Sequence, residues 1–469
     1  MFFTSLRGNQ YAYDLLRNKI YSVTAAHVTD LCLEEATKGV IKLPFDTEML
    51  KRLATEDVSY LSITITEVCN MRCKYCTYSG GFEGHRRHTK QSMTYQEGTK
   101  VIDWLQRHSR KAKELRIGFY GGEVLTNFHV LQALTAYAQD KFGDRLKDVL
   151  FTTNGTLLND NIVDWIAQNP ILSVSVTLNG PAEIHDRNRV TAVGEQTHNE
   201  IYGRIEKLAV RLGKNFGKQV SFLANFKDFR ERDAILRYFE QNEVLNKSSV
   251  ICTPIEYPLS MSERIERDST SVADNLFRLA QETAAIRKCS SDTIETFGAR
   301  LAKAGIKPDM LIRFHKRQEG IADNLYFKGG CIPFANRLAV DLKGDLHFCE
   351  ATDFLFPIGN VFRDEIYEES LDKLQQIEIL MNGDLKCRNC PAVNFCAMCF
   401  RDFLDRDGVK QTIEIKDKCL EMRKKFMHDI SIYVSILEEY PEFLDSLLPD
   451  QHNERTRTLI HDAIKRKGE

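Results

Sequence analysis

The stretch LSITITEVCNMRCKYC, residues 61–76, joins a strand to a cysteine-rich loop. LSITIT alternates apolar and polar residues, as a strand with one face in a core does. It leads into Cys69, Cys73 and Cys76, spaced C-x3-C-x2-C. Three thiolates on one loop can hold three irons of a [4Fe–4S] cube, because soft sulfur suits iron. The fourth iron then has no ligand from this loop, and an open metal position is where a substrate or cofactor binds. The competing reading is half of a zinc site. Structural zinc takes four ligands, usually as two close pairs, and this loop offers three.

Outward from this loop, strands and helices alternate. Thr94 and Glu97 make a capping box for a helix over 94–109. Strands over 115–119, 149–153, 172–178, 220–224 and 248–254 then alternate with helices over 127–141, 159–168, 198–212 and 231–242. This order implies an α/β fold with a parallel sheet and right-handed crossovers. Six such units make an open, partial (β/α)6 barrel over residues 58–260, with ligands at the C-terminal ends of the strands. Residues 1–57 read as a small α+β module. In it YAYDLL and IYSVT pair as a hairpin across Arg17 and Asn18, and AAHVTDLCLEEAT forms a helix that Gly39 ends. Residues 261–330 read as a helical, charged linker, 331–425 as a loop-rich, cysteine-dense module, and 426–469 as a helical tail.

The chain has thirteen cysteines, too many to be incidental. Three lie between 69 and 76 and seven between 331 and 419; Cys32, Cys252 and Cys289 stand alone. Clustered cysteines in a reducing compartment point to metal or redox chemistry rather than disulfides. A lone cysteine is ordinarily a small buried hydrophobe, the reading given to Cys32. The formal net charge of -2 gives no reason to expect nucleic acid or an anionic membrane as partner. No apolar run reaches the roughly 18 residues that span a bilayer. The N-terminus lacks a basic segment followed by a sustained apolar one, so a cytoplasmic location is expected.

The octet CNMRCKYC, with Tyr75 before its last cysteine, resembles the signature of the radical S-adenosyl-L-methionine (AdoMet, SAM) superfamily. The resemblance implies that AdoMet chelates the open iron through its amino and carboxylate groups. An electron from the cluster then breaks the C–S bond and leaves a 5′-deoxyadenosyl radical. It further implies AdoMet contacts at Gly121, Gly122 and Glu123 in FYGGE, at Thr153 and Asn154 in TTNG, and at Thr177, Asn179 and Arg189 in VTLNGP…HDRNR. The family usually has Asp where this chain has Asn179, so an acid role does not transfer, though an amide can still bond a ribose hydroxyl.

The C-terminal pattern is C-x12-G-x4-C, then C-x2-C-x5-C-x2-C, then a late cysteine. It resembles the SPASM extension of radical AdoMet enzymes that modify peptides, which usually spaces the last close pair by three residues. The resemblance implies two auxiliary clusters and so three [4Fe–4S] clusters in all. Cys387, Cys390, Cys396 and Cys419 would hold one completely; Cys331, Cys349 and Cys399 would hold the other. NLYFKGG before Cys331 has no cysteine for the fourth position, so an iron is open unless Cys289, Cys252, His347 or a water fills it. The rival reading is structural zinc, which two C-x2-C pairs also suit.

The stretch TYSGGFEGHRRHTKQSM also resembles maturases of ribosomally made peptides, with Arg86, Arg87 and Lys90 as lining of a peptide channel or as a solvated loop. The resemblance implies a maturase that installs a thioether or carbon–carbon crosslink in a precursor peptide. It implies a leader, recognised by an N-terminal module as an added strand, and an electron donor such as flavodoxin or ferredoxin. The alternatives are an anaerobic sulfatase-maturing enzyme that forms formylglycine, and a non-catalytic iron–sulfur scaffold.

Overall fold

The computed structural model describes residues 1–15, 17–23, 40–43, 45–79, 86–255, 261–287, 293–317, 319, 324–327, 337–350, 356–405, 408–410 and 412–448. The helix expected over AAHVTDLCLEEAT lies outside them, as do Cys32, Cys289 and Cys331.

The chain begins with β1 (Phe2–Thr4), β2 (Gln10–Asp14) and β3 (Lys19–Ser22), an antiparallel sheet in that order. The expected hairpin is present: Asp14 pairs with Lys19, and Asn18 takes the left-handed turn conformation that asparagine tolerates. Next come β4 (Val40–Lys42) and α1 (Thr47–Glu56).

The barrel follows as β5 (Tyr60–Thr66), α2 (Tyr95–His108), β6 (Leu115–Gly121), α3 (Phe128–Phe142), β7 (Leu146–Thr153), α4 (Asp160–Gln168) and β8 (Leu172–Thr177). It continues with α5 (Ala182–Asn188), α6 (His198–Leu212), α7 (Phe216–Gln219), β9 (Val220–Phe226), α8 (Phe229–Gln241) and β10 (Val250–Pro254). The six strands pair in parallel in chain order. β5 is buried on both faces: Leu61, Ile63 and Ile65 join a core with Val101, Trp104, Leu105, Ile117 and Leu131, and Ser62, Thr64 and Thr66 on the other face are buried too. Burying each such apolar side chain stabilises the fold by about 1.5–3 kcal/mol. The Thr94–Glu97 capping box starts α2 as expected.

Beyond the barrel lie α9 (Met261–Ile286), α10 (Ile294–Lys303), α11 (Pro308–His315), β11 (Asn324–Tyr326), β12 (Leu338–Val340), β13 (Asp345–His347), β14 (Gly359–Asn360), β15 (Glu365–Ile366), α12 (Glu368–Asn382), α13 (Thr412–Glu439) and α14 (Pro441–Ser446). β12 adds in parallel to β5, and β13 to β15 follow antiparallel, so the cysteine-dense region extends the barrel's own sheet to ten strands.

One region differs from the sequence expectation. Residues 261–330 do more than link. Phe297, Leu301, Leu311 and Phe314 form a second core with Ile430, Tyr433 and Val434 of α13 and with Phe3, Tyr11 and Tyr13 of the N-terminal sheet. The described parts of residues 1–57 dock on several neighbours, as expected of a module too small for a large core of its own. The sheet β1–β3 docks on α13, where Leu6 N–H donates to Ser435 Oγ and Tyr11 Oη to Glu438. β4 pairs in parallel with β11, and α1 packs on α12. The physical reason is size: segments this short cannot enclose a core of their own. Among the described residues no helix is long and apolar enough to cross a membrane.

Candidate functional site

The loop that leaves β5 is pinned by the segment after α5. Arg72 N–H donates to Val190 O at 2.9 Å, Lys74 N–H to Asn188 O at 3.0 Å, and Ala192 N–H to Asn70 O at 3.1 Å. This fixes the three thiols, and each has a donor near it. Cys69 Sγ accepts from Met71 N–H at 3.4 Å and faces Asn154 Nδ2 at 3.9 Å. Cys73 Sγ faces Arg189 Nη1 at 3.8 Å. Cys76 Sγ accepts from Tyr78 N–H at 3.4 Å and lies 3.8 Å from His88 Nε2. Such donors support thiolate ligands from behind.

Electrostatics gives the same picture. Burial pushes the Cys69 thiol up to about 11, against the Met71 N–H, with Glu123, Cys73 and Cys76 adding to the rise. Burial likewise raises Cys76, with the charge of Cys73 beside it. Cys69 and Cys76 feel the neighbouring thiols in a half-buried place, and as thiolates the three need a multiply charged cation. The donor set therefore fits an iron–sulfur cluster. All ten described cysteines are free of disulfides. Among the described residues no three His, Cys, Asp or Glu side chains converge on a single ion.

The strand ends supply the surroundings. Gly121 has φ +141°, and a Cβ there would run into the Thr66 carbonyl oxygen; a Cβ on Gly122 would run into Val68 O. Gly122 N–H donates to Thr66 O at 2.8 Å. The close approach these glycines allow is thus to the chain's own backbone where β5 leaves the sheet. Glu123 is 1% exposed and turned inward. It accepts from Thr153 Oγ1 at 2.7 Å, Asn154 N–H at 2.6 Å and Leu125 N–H at 3.2 Å. It ties the end of β6 to the end of β7, and its oxygens are occupied by these donors. Burial raises its pKa despite them.

Asn154 Oδ1 accepts from Thr156 N–H at 2.9 Å, while Nδ2 donates to Asn70 Oδ1 at 2.9 Å. Thr177 ends β8, nearly buried. Asn179 is fully buried, and its Oδ1 accepts from Asn225 N–H at 3.0 Å. Its Nδ2 donates to Tyr75 Oη at 3.1 Å, where Asn225 Nδ2 and Arg189 Nη1 also arrive, both at 3.3 Å. Tyr75 is therefore an anchor between Cys73 and Cys76, held by the ends of β8 and β9 and by Arg189. Burial disfavours the Arg189 charge, but Tyr75, Cys73 and Glu123 more than restore it.

The structure thus brings the nine residues implied for AdoMet to the ends of β5 to β8 and the segment after α5. Asn225, His88 and Asn70 join them unannounced. Asn225 lies one residue before the end of β9, as Asn179 follows β8, so strand position could have revealed it; His88 has no spacing signal. Arg86 is buried with its guanidinium 5.3 Å above the Tyr78 ring, while Arg87 and Lys90 are exposed.

In the C-terminal region Cys387, Cys390, Cys396 and Cys419 share one neighbourhood. Burial and the other three raise Cys387 to about 12. Burial, with Cys390 and Cys419, raises Cys396 to about 11 against the Met398 N–H. Arg423 hydrogen-bonds Cys390, which raises the arginine in turn. Cys349 follows β13 and Cys399 opens the turn Phe400–Asp402. With Cys331 outside the described residues, the third ligand set is incomplete here. His347 is buried, its Nε2 3.7 Å from Asp341 Oδ2, and Cys252 sits half-buried on β10.

Residues 63–221 match the Radical SAM superfamily. The radical SAM cyclopropyl synthase TigE of Paramaledivibacter caminithermalis is 29% identical over 188 residues, 36% of this chain and 39% of the relative. The serine-type anaerobic sulfatase-maturating enzyme of Bacteroides thetaiotaomicron is 28% identical over 163 residues, 34% of this chain and 38% of the relative. The chain spans about two fifths of the length of these curated relatives. Among solved structures, native anSMEcpe with bound AdoMet has a TM-score of 0.52 at 16% identity, covering 80% of this chain and 99% of that one. A second, with AdoMet and Kp18Cys peptide, has a TM-score of 0.52 at 15% identity, covering 80% and 99%. The fold is that of a radical SAM domain with its C-terminal extension.

Proposed function

We propose that this chain, built on a radical SAM domain, is a peptide maturase that crosslinks a ribosomal precursor through a thioether or carbon–carbon bond. The observation that carries the reading is the half-buried trio Cys69, Cys73 and Cys76, each sulfur beside a donor, on the loop at the C-terminal end of β5. AdoMet, when bound and cleaved by one electron, supplies a radical that takes a hydrogen atom from the substrate. The protein's part is to hold and orient. The trio holds a cluster, and Asn154 and Arg189 lean on its sulfurs. Tyr75, clamped by Asn179, Asn225 and Arg189, keeps the loop in place. Cys387, Cys390, Cys396 and Cys419 hold a second cluster, and Cys331, Cys349 and Cys399 a third.

Forming the crosslink removes two hydrogens from the peptide. One leaves as the abstracted atom; the other would leave as a proton and an electron, which a cluster held by Cys387, Cys390, Cys396 and Cys419 or by Cys331, Cys349 and Cys399 would take up for the external carrier, a flavodoxin or ferredoxin. An open iron on the third cluster would hold a substrate thiolate beside the carbon radical, activated and positioned. Carbon–carbon bond formation is supported by TigE, a cyclopropyl synthase, and a peptide substrate by the solved neighbour that holds a Kp18Cys peptide. The leader-binding role belongs to residues 1–57 in this reading.

The sulfatase-maturating relative favours a second reading, oxidation of Cys or Ser to formylglycine. Mass spectrometry of a cysteine-containing precursor after anaerobic reaction separates them. A crosslinked product keeps its sulfur and is two hydrogens lighter. Formylglycine from cysteine loses the sulfur, and from serine it is two hydrogens lighter but carries an aldehyde that a hydrazide traps; either result would replace the crosslinking proposal.

A further inference from the structure

We propose that His185 and Thr197 form a hydrogen-bonded strut that positions Asn179 and Arg189 against Tyr75, and so sets how tightly AdoMet is held. The proposal rests on the AdoMet reading of the site. His185 lies on α5 and is wholly buried. Its Nδ1 faces the backbone N–H of Asn179 at 3.2 Å, so this nitrogen accepts. Its Nε2 lies 3.2 Å from Thr197 Oγ1. The Thr197 hydroxyl donates its one proton to the Arg189 carbonyl oxygen at 3.0 Å. Toward His185 the hydroxyl can then only accept, which requires the ring proton on Nε2. The donors thus run in one direction: Asn179 N–H to His185, His185 to Thr197, Thr197 to Arg189. Burial, helped by the charges of Arg189 and His198, lowers the His185 pKa to about 2 and keeps the ring in the neutral form this chain needs.

A second observation shows that Thr197 has been diverted to this task. It is the N-cap of α6, yet its side chain makes no capping bond. A threonine there ordinarily accepts from the N–H groups of the first turn. Asp186 Oδ1 instead takes the N–H of Thr197 at 3.0 Å and of His198 at 2.9 Å. The Thr197 hydroxyl, in a residue 1% exposed, serves the strut and not the N–H groups of the first turn. Both ends of the strut meet again at Tyr75 Oη, through Asn179 Nδ2 at 3.1 Å and Arg189 Nη1 at 3.3 Å. The strut closes a ring through the strand end, the helix and the segment that pins the cysteine loop. Without it, Asn179 and Arg189 can shift independently, and Tyr75 loses its fixed seat.

The test uses the reconstituted holoenzyme with Thr197→Val, which keeps the shape and loses the hydroxyl, Thr197→Ser, which restores the hydroxyl, and His185→Phe. Two readouts are equilibrium binding of AdoMet and the change in the EPR spectrum of the reduced cluster on adding AdoMet. Iron content and the denaturant midpoint control for folding. The strut predicts that Thr197→Val and His185→Phe each weaken AdoMet binding about tenfold and blunt the spectral change, and that Thr197→Ser recovers both. Wild-type affinity in Thr197→Val would overturn the proposal, as would equal weakness in Thr197→Val and Thr197→Ser. If wild type binds no AdoMet, the site reading fails and the strut falls with it.

Discussion

Glu123 carries a carboxylate into the interior with Thr153, Asn154 and Leu125 as its donors. In Glu123→Gln an amide N–H2 must face groups that already donate. The substitution should cost about 2 kcal/mol, read as a lower urea midpoint, with AdoMet cleavage falling as the ends of β6 and β7 separate. An unchanged midpoint would show that the clamp is unimportant. His185 gives a pH prediction. Its pKa falls from 6.5 to about 2 on folding, so the fold favours the neutral ring. That stability is complete above the unfolded value and is lost as pH falls below it. Going from about pH 7.5 to about 5.5 should cost on the order of 1 kcal/mol through this residue. His185→Phe should show a correspondingly shallower decline in its denaturant midpoint. A parallel decline in both proteins would contradict the assignment. Much of the site at this scale was legible because spacing is linear: the cysteine trio, the glycine pair and Arg189 all sit at marked positions. What spacing could not show was direction. Glu123 reads as a ligand contact and faces inward, while Asn225 and His88 arrive from residues with no motif of their own.

Among the elements, the barrel strands were readable because alternation and capping are local signals. β12 was not. Three residues, Leu338–Val340, are too few for a periodicity, and their pairing with β5 spans most of the chain. The N-terminal sheet was half readable. Its hairpin follows from the turn at Arg17 and Asn18, but its docking partner α13 lies at the far end of the sequence. Tyr13 packs on Phe395 and Phe426, and its hydroxyl accepts from Asn394, two residues before Cys396. Deleting residues 1–23 should therefore loosen the Cys387–Cys419 quartet and lower retained iron by up to one cluster's worth, measured per chain after reconstitution. Full iron retention with weakened precursor binding would instead favour a purely recognition role for this sheet.

For the molecule as a whole, three cluster sites in one chain make metal content the broad check: about twelve irons after anaerobic reconstitution. Stoichiometric zinc with about four irons would return the C-terminal cysteines to a structural role. The second core ties the N-terminal sheet to α11 and α13 through Phe3, Tyr13, Phe314 and Tyr433. The central claim is that Cys69, Cys73 and Cys76 hold the cluster at which AdoMet is cleaved. The direct measurement is 5′-deoxyadenosine formed by the reduced, reconstituted enzyme, wild type against the variant with all three cysteines changed to alanine. The account predicts deoxyadenosine from wild type and none from the variant, with loss of about four irons. Deoxyadenosine from the triple variant, or none from a fully loaded wild type, would contradict it.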